Sequence, residues 1–339
     1  MLEQLIRTAT LRPLSTAEAE DAFMEIMEGR ATPVQIAAVL VAIRVRGAAP
    51  EEVAGGVHAL RRTMVAVPAV DPDDLVDTCG TGGGTLTTFN ISTAAALVAA
   101  GAGVRVAKHG NRSFTSRCGS ADVLEALGVR LDLAPEREAQ ILDEAGVVFM
   151  FAPLHHPAMR HVGPVRRELA MPTIMNILGP LTNPAHARRQ VVGVSDPSLM
   201  RLIAEALGVL GHRRALVVHG EPGMDEFSPL GATRVIELRD GVIDEWVLDP
   251  RAEFGWSGFS ESELAGGDRE ENAATVEAVL RGARGGAARA AVTLNAAAAL
   301  YVAGGVESMR DGVERAERAI DEGAGWERLE LLREASLRD

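Results

Sequence analysis

Two patterns of apolar and polar positions divide the chain near residue 70. Before that point, helix start and stop signals follow one another. Ser15 and Glu18 give a capping-box pattern, Gly29 stands where that helix would end, and the next two helix starts carry a proline in the first turn. The predicted helices cover residues 19–28, about 33–46 and about 50–64. We therefore predict a small helical domain over residues 1–68.

From Asp74 onward, short apolar runs rich in β-branched residues alternate with helical segments. The predicted strands cover residues 75–77, 104–107, 147–151, 190–194 and 215–219. Such alternation is typical of a mostly parallel sheet with helices on its faces, so we predict an α/β domain over residues 74–339. The proline-rich segment near 156–184 is less regular, and we expect it to return to the helical domain. The tail over residues 272–337 is predicted to be helical.

Composition and charge exclude several classes of protein. No apolar run reaches the roughly 18 residues of a membrane span without polar interruption, and the N-terminus has no signal-peptide pattern. With Cys79 and Cys118 as the only cysteines, a reduced cytoplasmic protein without a membrane partner is expected. The formal net charge of −13 argues against nucleic acid as a partner, because a phosphate backbone demands a basic face.

A glycine-rich loop follows the first predicted strand. Residues 77–93 read DTCGTGGGTLTTFNIST, with four glycines in five positions. Glycine lets a backbone approach a ligand closely, and the helix start near Ser92 would add free N–H groups and a positive dipole end. The spacing matches neither the Rossmann fingerprint nor the P-loop. A flexible turn would also explain a glycine run, but the hydroxyl and amide side chains behind it favour a phosphate or pyrophosphate cradle.

Lys108 is the only lysine in the chain, and arginine is used at every other strongly basic position. It follows the second predicted strand, in the segment KHGNRSFTSRCGSAD over residues 108–122. An ammonium is a compact point charge and a guanidinium is a planar fork, so the retained lysine indicates a site that needs the smaller cation. Loops after parallel strands line the crevice of an open α/β sheet. A remnant of compositional drift, in a solvated basic loop, is the alternative.

Two further segments carry candidate chemistry. Residues 155–169 hold several histidines and arginines, and an arginine there could clamp a carboxylate in bidentate fashion. Arg160 and Arg167 are expected to be surface charges. Asp225 and Glu226 follow the strand predicted over 215–219, and adjacent carboxylates beside a phosphate cradle suit Mg²⁺, although a solvated acidic turn has the same pattern.

Together these motifs resemble the anthranilate phosphoribosyltransferase family. The matching segments are the glycine loop through Thr93, KHGNR at 108–112, GSADVLEALG at 119–128, HPAM at 156–159, NILGPLTNP at 176–184 and the Asp225–Glu226 pair. The resemblance implies a helical domain on a larger α/β domain of the nucleoside phosphorylase/phosphoribosyltransferase type, usually in a homodimer. It also implies that the protein joins anthranilate to phosphoribosyl pyrophosphate with Mg²⁺ in tryptophan biosynthesis, giving N-(5-phosphoribosyl)anthranilate and pyrophosphate.

The resemblance assigns roles to individual residues. Those that would surround phosphoribosyl pyrophosphate lie in the glycine loop, the helix start behind it and the Lys108 loop: Gly80, Gly83, Gly84, Thr88, Asn90, Ile91, Ser92, Thr93, Lys108, His109, Gly110, Asn111, Arg112, Ser113, Phe114, Thr115, Ser116 and Ser120. Those that would meet anthranilate are Gly80, Asn111 and Arg166, with Arg166 on the carboxylate. Those that would reach Mg²⁺ are Ser92, Asp225 and Glu226. The residues expected to act in catalysis are Lys108, Asn111 and Arg166.

One position departs from the family pattern. The glycine loop of the family usually reads GTGGD, and Gly84 stands here in place of the aspartate. The missing carboxylate puts the number of bound metal ions in question. Two alternatives remain open: a pyrimidine-nucleoside phosphorylase-like enzyme, which would need a nucleobase pocket, and a non-catalytic, nucleic-acid-binding relative, against which the net charge argues.

Overall fold

The computed structural model describes residues 1–68, 71–113 and 117–338. Its first four helices are α1 Leu2–Leu11, α2 Thr16–Met27, α3 Pro33–Arg46 and α4 Pro50–Thr63. The capping signals act as predicted, because Ser15 and Thr32 each accept from a first-turn N–H, and Glu18 and Gln35 complete the two boxes. The three helices predicted from these signals are confirmed.

In the described part of the chain, a seven-stranded sheet runs in the order β3-β2-β1-β4-β5-β6-β7. The strands are β1 Leu75–Gly80, β2 Arg105–Gly110, β3 Val147–Phe151, β4 Arg189–Gly193, β5 Arg214–Gly220, β6 Thr233–Arg239 and β7 Val242–Leu248. The first five pair in parallel, which confirms the predicted strands. The antiparallel strands β6 and β7 extend the predicted sheet at one edge.

Helices cover both faces of this sheet. They are α5 Ile91–Gly101, α6 Ser120–Ala126, α7 Pro135–Ala145, α8 Ala152–His155, α9 Met159–Leu169, α10 Met175–Leu178, α11 Met200–Val209, α12 Pro250–Phe254, α13 Arg269–Leu280, α14 Gly286–Ala303, α15 Met309–Asp321 and α16 Ala324–Leu337. The helical tail is therefore as predicted. By length and composition α14 could cross a membrane, but 78% of it is buried inside the protein, as expected of a helix packed against a sheet.

Two aliphatic cores lie on opposite faces of the sheet. Val191 and Val218 belong to the core beneath α5 and α14, whereas Val192 and Val217 belong to the core shared with α1–α4. This division follows from the strand geometry, because successive side chains point to opposite faces. The second core also contains apolar residues of α9 and α10. The irregular segment after β3 therefore packs together with the first four helices.

Candidate active site

Three loops meet at the edge of the sheet where the parallel strands end. β1 and β2 are parallel neighbours, so their last residues, Gly80 and Gly110, lie at the same edge. The loop after β5 turns back over this edge, and the N–H of Gly82 donates to Asp225 Oδ2 at 3.0 Å. The glycine loop, the end of β2 and the acidic pair are thereby brought together. Lys108 lies in β2 itself and not, as predicted, in the loop that follows this strand.

The acidic loop passes so close to β1 and β4 that side chains are excluded there. A Cβ at Gly80 would lie 2.6 Å from Asp225 Oδ2, and one at Gly193 would lie 1.6 Å from the carbonyl oxygen of Asp225. The second obstacle is backbone and cannot rotate away. These close approaches hold the Asp225 carboxylate against the glycine loop.

Lys108 is buried beneath the start of α5. Its side chain is 3% exposed, and Nζ donates to the carbonyl oxygen of Thr78 and, at 3.2 Å, to Ser92 Oγ. Burial lowers the pKa of the ammonium, while the charge of Asp77 opposes that shift. The lone lysine therefore places its charge behind the glycine loop.

The start of α5 is less free than its sequence indicates. The N–H of Ser92 donates to Glu226 Oε1 at 3.0 Å, and the N–H of Thr93 donates to the carbonyl oxygen of Asn90 at 3.1 Å. The prediction of free N–H groups for a phosphate is wrong at these two residues. A carboxylate occupies the positive end of the helix dipole, where it is stabilised.

Asp225 and Glu226 are partly buried carboxylates. Burial raises the pKa of both, to well above the ordinary value for Glu226, where the charge of Asp225 adds to the effect. Glu226 Oε2 is buried and has no hydrogen-bond partner among the described residues. A cavity of about 50 Å³, lined also by Gly80 and Ser92, borders the pair. That volume holds a few water-sized groups.

These features fit Mg²⁺, which prefers oxygen ligands and keeps several of its waters. Ser92, Asp225 and Glu226 offer a hydroxyl and two carboxylates on one cavity. No group of three or more His, Cys, Asp or Glu side chains in the described part of the chain could hold a metal ion. The other ligands of an ion here would be water and substrate oxygens.

Gly84 faces the acidic pair across the glycine loop. Gly82 and Gly83 have φ angles of +68° and +80°, whereas Gly84 lies outside the left-handed region. A Cβ at Gly84 would lie 3.1 Å from the carbonyl oxygen of Gly223 and 3.4 Å from Asp225 Oδ1. The position at which the family usually carries an aspartate is therefore adjacent to Asp225.

The end of the glycine loop is fixed by residues that the motifs did not indicate. Thr88 forms an antiparallel bridge with Ala265, and Asn90 Oδ1 accepts from Asn272 Nδ2 at 3.0 Å. Ile91, the first residue of α5, is fully buried. The only sequence signal for Asn272 is that it is a polar amide in an otherwise alanine-rich helical tail.

Asp77 and Asn295 are two further residues of this kind. Asp77 is buried within β1 and accepts from the N–H of His109 at 3.1 Å, and burial raises its pKa to about 6. Asn295 binds the backbone N–H and carbonyl of Phe227, each at 3.0 Å, which anchors the loop directly after Glu226. Both side chains hold loops that carry predicted site residues.

His109 and Gly110 end β2 in a crowded environment. His109 is 6% exposed, its Nε2 has no hydrogen-bond partner among described residues, and its ring lies 5.0 Å from that of His156. Burial lowers its pKa well below the ordinary value, so the ring is neutral. A Cβ at Gly110 would lie 2.4 Å from Ser120 Oγ and 2.6 Å from the ring of Phe149.

The loop after β2 is described as far as Ser113. The carbonyl oxygen of Asn111 accepts from Ser120 Oγ at 3.2 Å. Arg112 forms ion pairs with Glu125 at 2.6 Å and Asp122 at 2.8 Å, which raise its pKa and turn its guanidinium toward α6. The predicted ligands Phe114, Thr115 and Ser116 lie outside the described residues.

Arg166 lies in α9, on the side of the helical core. It is partly buried, and burial lowers the pKa of its guanidinium. Its side chain makes no hydrogen bond or ion pair within residues 1–68, 71–113 and 117–338, and therefore none with Gly80 or Asn111. Arg160 and Arg167 are exposed, as expected of surface charges.

Comparisons with known proteins agree with this architecture. Two family models match: the helical bundle domain of a glycosyl transferase family over residues 1–64 and its a/b domain over residues 72–326. The anthranilate phosphoribosyltransferase of Rubrobacter xylanophilus is 51% identical over 339 residues, covering 100% of this chain and 98% of the relative. Anthranilate phosphoribosyltransferase 2 of Streptomyces coelicolor is 51% identical over 332 residues, covering 95% and 98%.

Solved structures show the same similarity. Anthranilate phosphoribosyltransferase from Thermus thermophilus superimposes with a TM-score of 0.93 at 43% identity, covering 98% of this chain and 99% of that one. The Saccharomyces cerevisiae enzyme in complex with phosphoribosyl pyrophosphate and Mg superimposes with a TM-score of 0.88 at 27% identity, covering 99% and 97%. The predicted fold class is confirmed. By full-length identity and by fold, the chain belongs to the anthranilate phosphoribosyltransferase family.

Proposed function

We propose that this protein transfers the phosphoribosyl group of 5-phosphoribosyl 1-pyrophosphate to the amine of anthranilate, in tryptophan biosynthesis. The products are N-(5-phosphoribosyl)anthranilate and pyrophosphate. The observation that carries the proposal is the meeting of the glycine loop, Lys108 and the Asp225–Glu226 pair at one edge of the sheet, in a chain that matches named relatives over its full length.

The reaction mainly requires that charge on the leaving group be stabilised. The bond from the anomeric carbon to pyrophosphate breaks, a bond to the anthranilate nitrogen forms, and that nitrogen loses a proton. An aniline nitrogen is already unprotonated at neutral pH, so no strong general base is obligatory. Backbone amides of the glycine loop and the charge of Lys108 supply preorganised positive potential, and holding both substrates in place contributes further.

We assign the Mg²⁺ site to Ser92, Asp225 and Glu226. The orphaned Glu226 Oε2 and the adjoining cavity support this assignment. When bound, the ion would neutralise pyrophosphate charge as a Lewis acid. In its absence, Glu226 accepts a hydrogen bond from the N–H of Ser92, and Asp225 accepts one from the N–H of Gly82. These bonds keep the start of α5 and the glycine loop in place.

The substrate contacts are proposed from the position of each loop. Gly80, Gly83, Gly84, Thr88 and residues 90–93 would lie along phosphoribosyl pyrophosphate, with residues 108–116 and Ser120 on its phosphates. Arg166 would take the carboxylate of anthranilate, with Gly80 and Asn111 beside the ring. The half-buried guanidinium of Arg166, without a partner among described side chains, supports this role, because a desolvated cation gains most from a bidentate anion.

A homodimer is also proposed, and α3 supports it. Its buried face includes Ile36 and Ile43, yet Val34 and Val45 on the outer face are 79% and 81% exposed. With the partly exposed Val41 they form an apolar stripe on the outside of the protein. A surface helix that is apolar on both faces needs a partner.

We further propose the division into a helical domain, residues 1–68 joined by a return segment near 156–184, and an α/β domain over residues 74–339. The shared core of α1–α4 with α9 and α10 supports this division. A cytoplasmic location is proposed as well, and the free thiols of Cys79 and Cys118 are compatible with it.

The proposal is tested by following the loss of anthranilate fluorescence in the presence of phosphoribosyl pyrophosphate and Mg²⁺. Turnover should require all three components. Lys108→Ala should reduce kcat/KM by about tenfold or more, because it removes a charged contact. Arg105→Ala, at the exposed start of the same strand, is the matched control and should retain activity. Phosphorolysis of a pyrimidine nucleoside without turnover of anthranilate would overturn the proposal.

A further inference from the structure

A second cluster of basic side chains lies at the opposite end of the sheet from the candidate active site. Arg189 and Arg214 are register partners at the start of the parallel strands β4 and β5. Arg188 and Arg213 each precede one of them, so the two stand side by side at the amino edge. Arg61, in the last turn of α4, lies close enough to Arg188 and His212 for its charge to act on both. The length of β4, five residues, separates this edge from the active site by roughly 16 Å.

Backbone hydrogen bonds hold the cluster together. The N–H of Arg213 donates to the carbonyl oxygen of Arg188 at 3.0 Å. The N–H of Arg188 donates to the carbonyl oxygen of Pro72 at 3.2 Å, which brings in the segment carrying Asp73. The backbones of Arg188 and Arg213 are therefore placed side by side by the fold.

The positive charge of this cluster is incompletely balanced. Asp73 lies 3.5 Å from Arg188 Nη1 and 3.5 Å from Arg213 Nη1, and its Oδ1 is buried without a hydrogen-bond partner among described residues. Arg61 Nε is likewise buried and unpartnered in the described chain. Burial, and then the charge of Arg188, lowers the pKa of Arg61. Arg188 and Arg213 thus share one loosely held carboxylate, and Arg61 adds a third positive charge without an ion pair among the described residues, in a protein of net charge −13.

Two histidines border the arginines. His212 is 6% exposed, and its Nδ1 is buried with no hydrogen-bond partner among the residues described. Burial, followed by the charge of Arg61, lowers its pKa to about 3, so its ring is neutral. Burial, followed by the charges of Arg61 and Arg188, also lowers the pKa of His186. An unpaired, buried ring nitrogen beside three cations is a further unsatisfied polar group that a ligand could contact.

We propose that Arg61, Arg188 and Arg213, with His212 behind them, bind an oxyanion of the phosphate type, either free or as a monoester. The planar fork of a guanidinium matches such an anion in bidentate fashion, and several forks together favour a multiply charged one. Arg61 belongs to α4, whereas Arg188 and Arg213 precede strands of the sheet. The bound anion joins the helical bundle to the α/β core at the end remote from catalysis.

The test is a calorimetric titration of the full-length protein with inorganic phosphate in the absence of Mg²⁺. The double variant Arg61→Gln/Arg188→Gln should lose one phosphate site or weaken it by about tenfold or more, since each charged contact contributes to binding. Arg62→Gln is the matched control, because Arg62 pairs with Glu20 on the surface at 3.1 Å. The kcat of the double variant should stay within about twofold of the native value, because the cluster lies away from the chemistry.

Asp73→Asn provides an independent test with the opposite sign. It removes the anion that competes for the arginines and should tighten phosphate binding, an outcome that a poorly folded variant cannot imitate. Glycerol 3-phosphate, titrated in parallel, separates a site that accepts monoesters from one restricted to the free ion. Unchanged phosphate binding in both the arginine and the Asp73 variants would overturn the proposal, whether or not the protein turns over anthranilate.

Discussion

At the scale of single residues, burial opposes the negative charge of Glu226. Its pKa is raised well above 4.5, so in the metal-free protein its contribution to stability is greatest below that pH. The contribution is lost as pH rises through the raised pKa. A divalent cation that favours the ionised form reverses this loss, because it binds the carboxylate directly.

Glu226→Gln should therefore separate folding from metal binding. The amide imitates the protonated acid and can still accept from the N–H of Ser92. Without Mg²⁺, the variant should melt a few degrees above the native protein at about pH 8 and close to it near pH 5. It should gain much less from added Mg²⁺. Melting curves with and without Mg²⁺ measure both effects, and Glu221→Gln, exposed on the same loop, is the control.

Arg166→Ala should weaken anthranilate binding far more than phosphoribosyl pyrophosphate binding. Loss of a charge-assisted contact costs about 1.5–3 kcal/mol, or roughly 10–150-fold in affinity. Calorimetric titration of each ligand measures the two effects. Arg167→Ala changes the adjacent, exposed arginine and should leave both affinities unchanged. Equal losses for the two ligands would place the carboxylate contact elsewhere.

The sequence predicts some site residues better than others for a physical reason. Lys108 and the Asp225–Glu226 pair are unusual by residue type and follow predicted strands, so chain position alone places them at one edge of the sheet. Asp77 and Asn295 act by holding backbone groups of distant segments. Such roles arise only when the tertiary structure brings those segments together, and no local pattern records them.

At the scale of elements, the glycine loop carries Gly84 where the resemblance to the family leads us to expect an aspartate. Gly84→Asp would place a third carboxylate beside Asp225, where like charges repel unless a cation lies between them. We expect the same products with a stronger dependence on Mg²⁺. Gly84→Asn, of the same size without the charge, is the control.

A series of Mg²⁺ concentrations, run with melting curves on all three proteins, measures this effect. No left-handed φ is needed at Gly84, so backbone strain should not confound the comparison. In both variants the carbonyl oxygen of Gly223, which would lie 3.1 Å from the added Cβ, must shift slightly. Identical Mg²⁺ profiles for the aspartate and asparagine variants would show that position 84 does not face the metal.

Helix caps and buried parallel strands could be predicted because their signals are local. The side chains of Ser15 and Thr32 cap their helices by accepting from backbone N–H groups three residues further along the chain. The strands β6 and β7 give no such signal, since residues 233–239 and 242–248 mix charged and apolar positions, and β7 forms the exposed edge of the sheet. Their pairing with β5 depends on the sheet that is already present. Antiparallel extensions of this kind are recognised only in the folded protein.

At the scale of the whole molecule, the apolar stripe on α3 predicts the mode of assembly. The double variant Val41→Glu/Val45→Glu should shift a dimer toward the monomer, because it buries four unpaired charges at a two-fold interface. Sedimentation velocity measures the change. Val242→Glu places one charge on β7, where Val242 is 59% exposed, and should leave the dimer intact. If Val242→Glu disrupts the dimer and the Val41→Glu/Val45→Glu variant does not, the interface lies at the edge of the sheet instead.

The packing of α4 on α10 has a consequence for the synthesis of this protein. Gly56 leaves room for Leu178, whose Cδ1 would lie 2.7 Å from a Cβ at that position. The first four helices emerge from the ribosome about a hundred residues before this partner, which at ordinary elongation rates is a delay of roughly 5–20 s. During that interval the face of α4 that packs on α10 has no cover. The nascent N-terminal helices therefore expose apolar surface that a chaperone could shield until translation has passed α10.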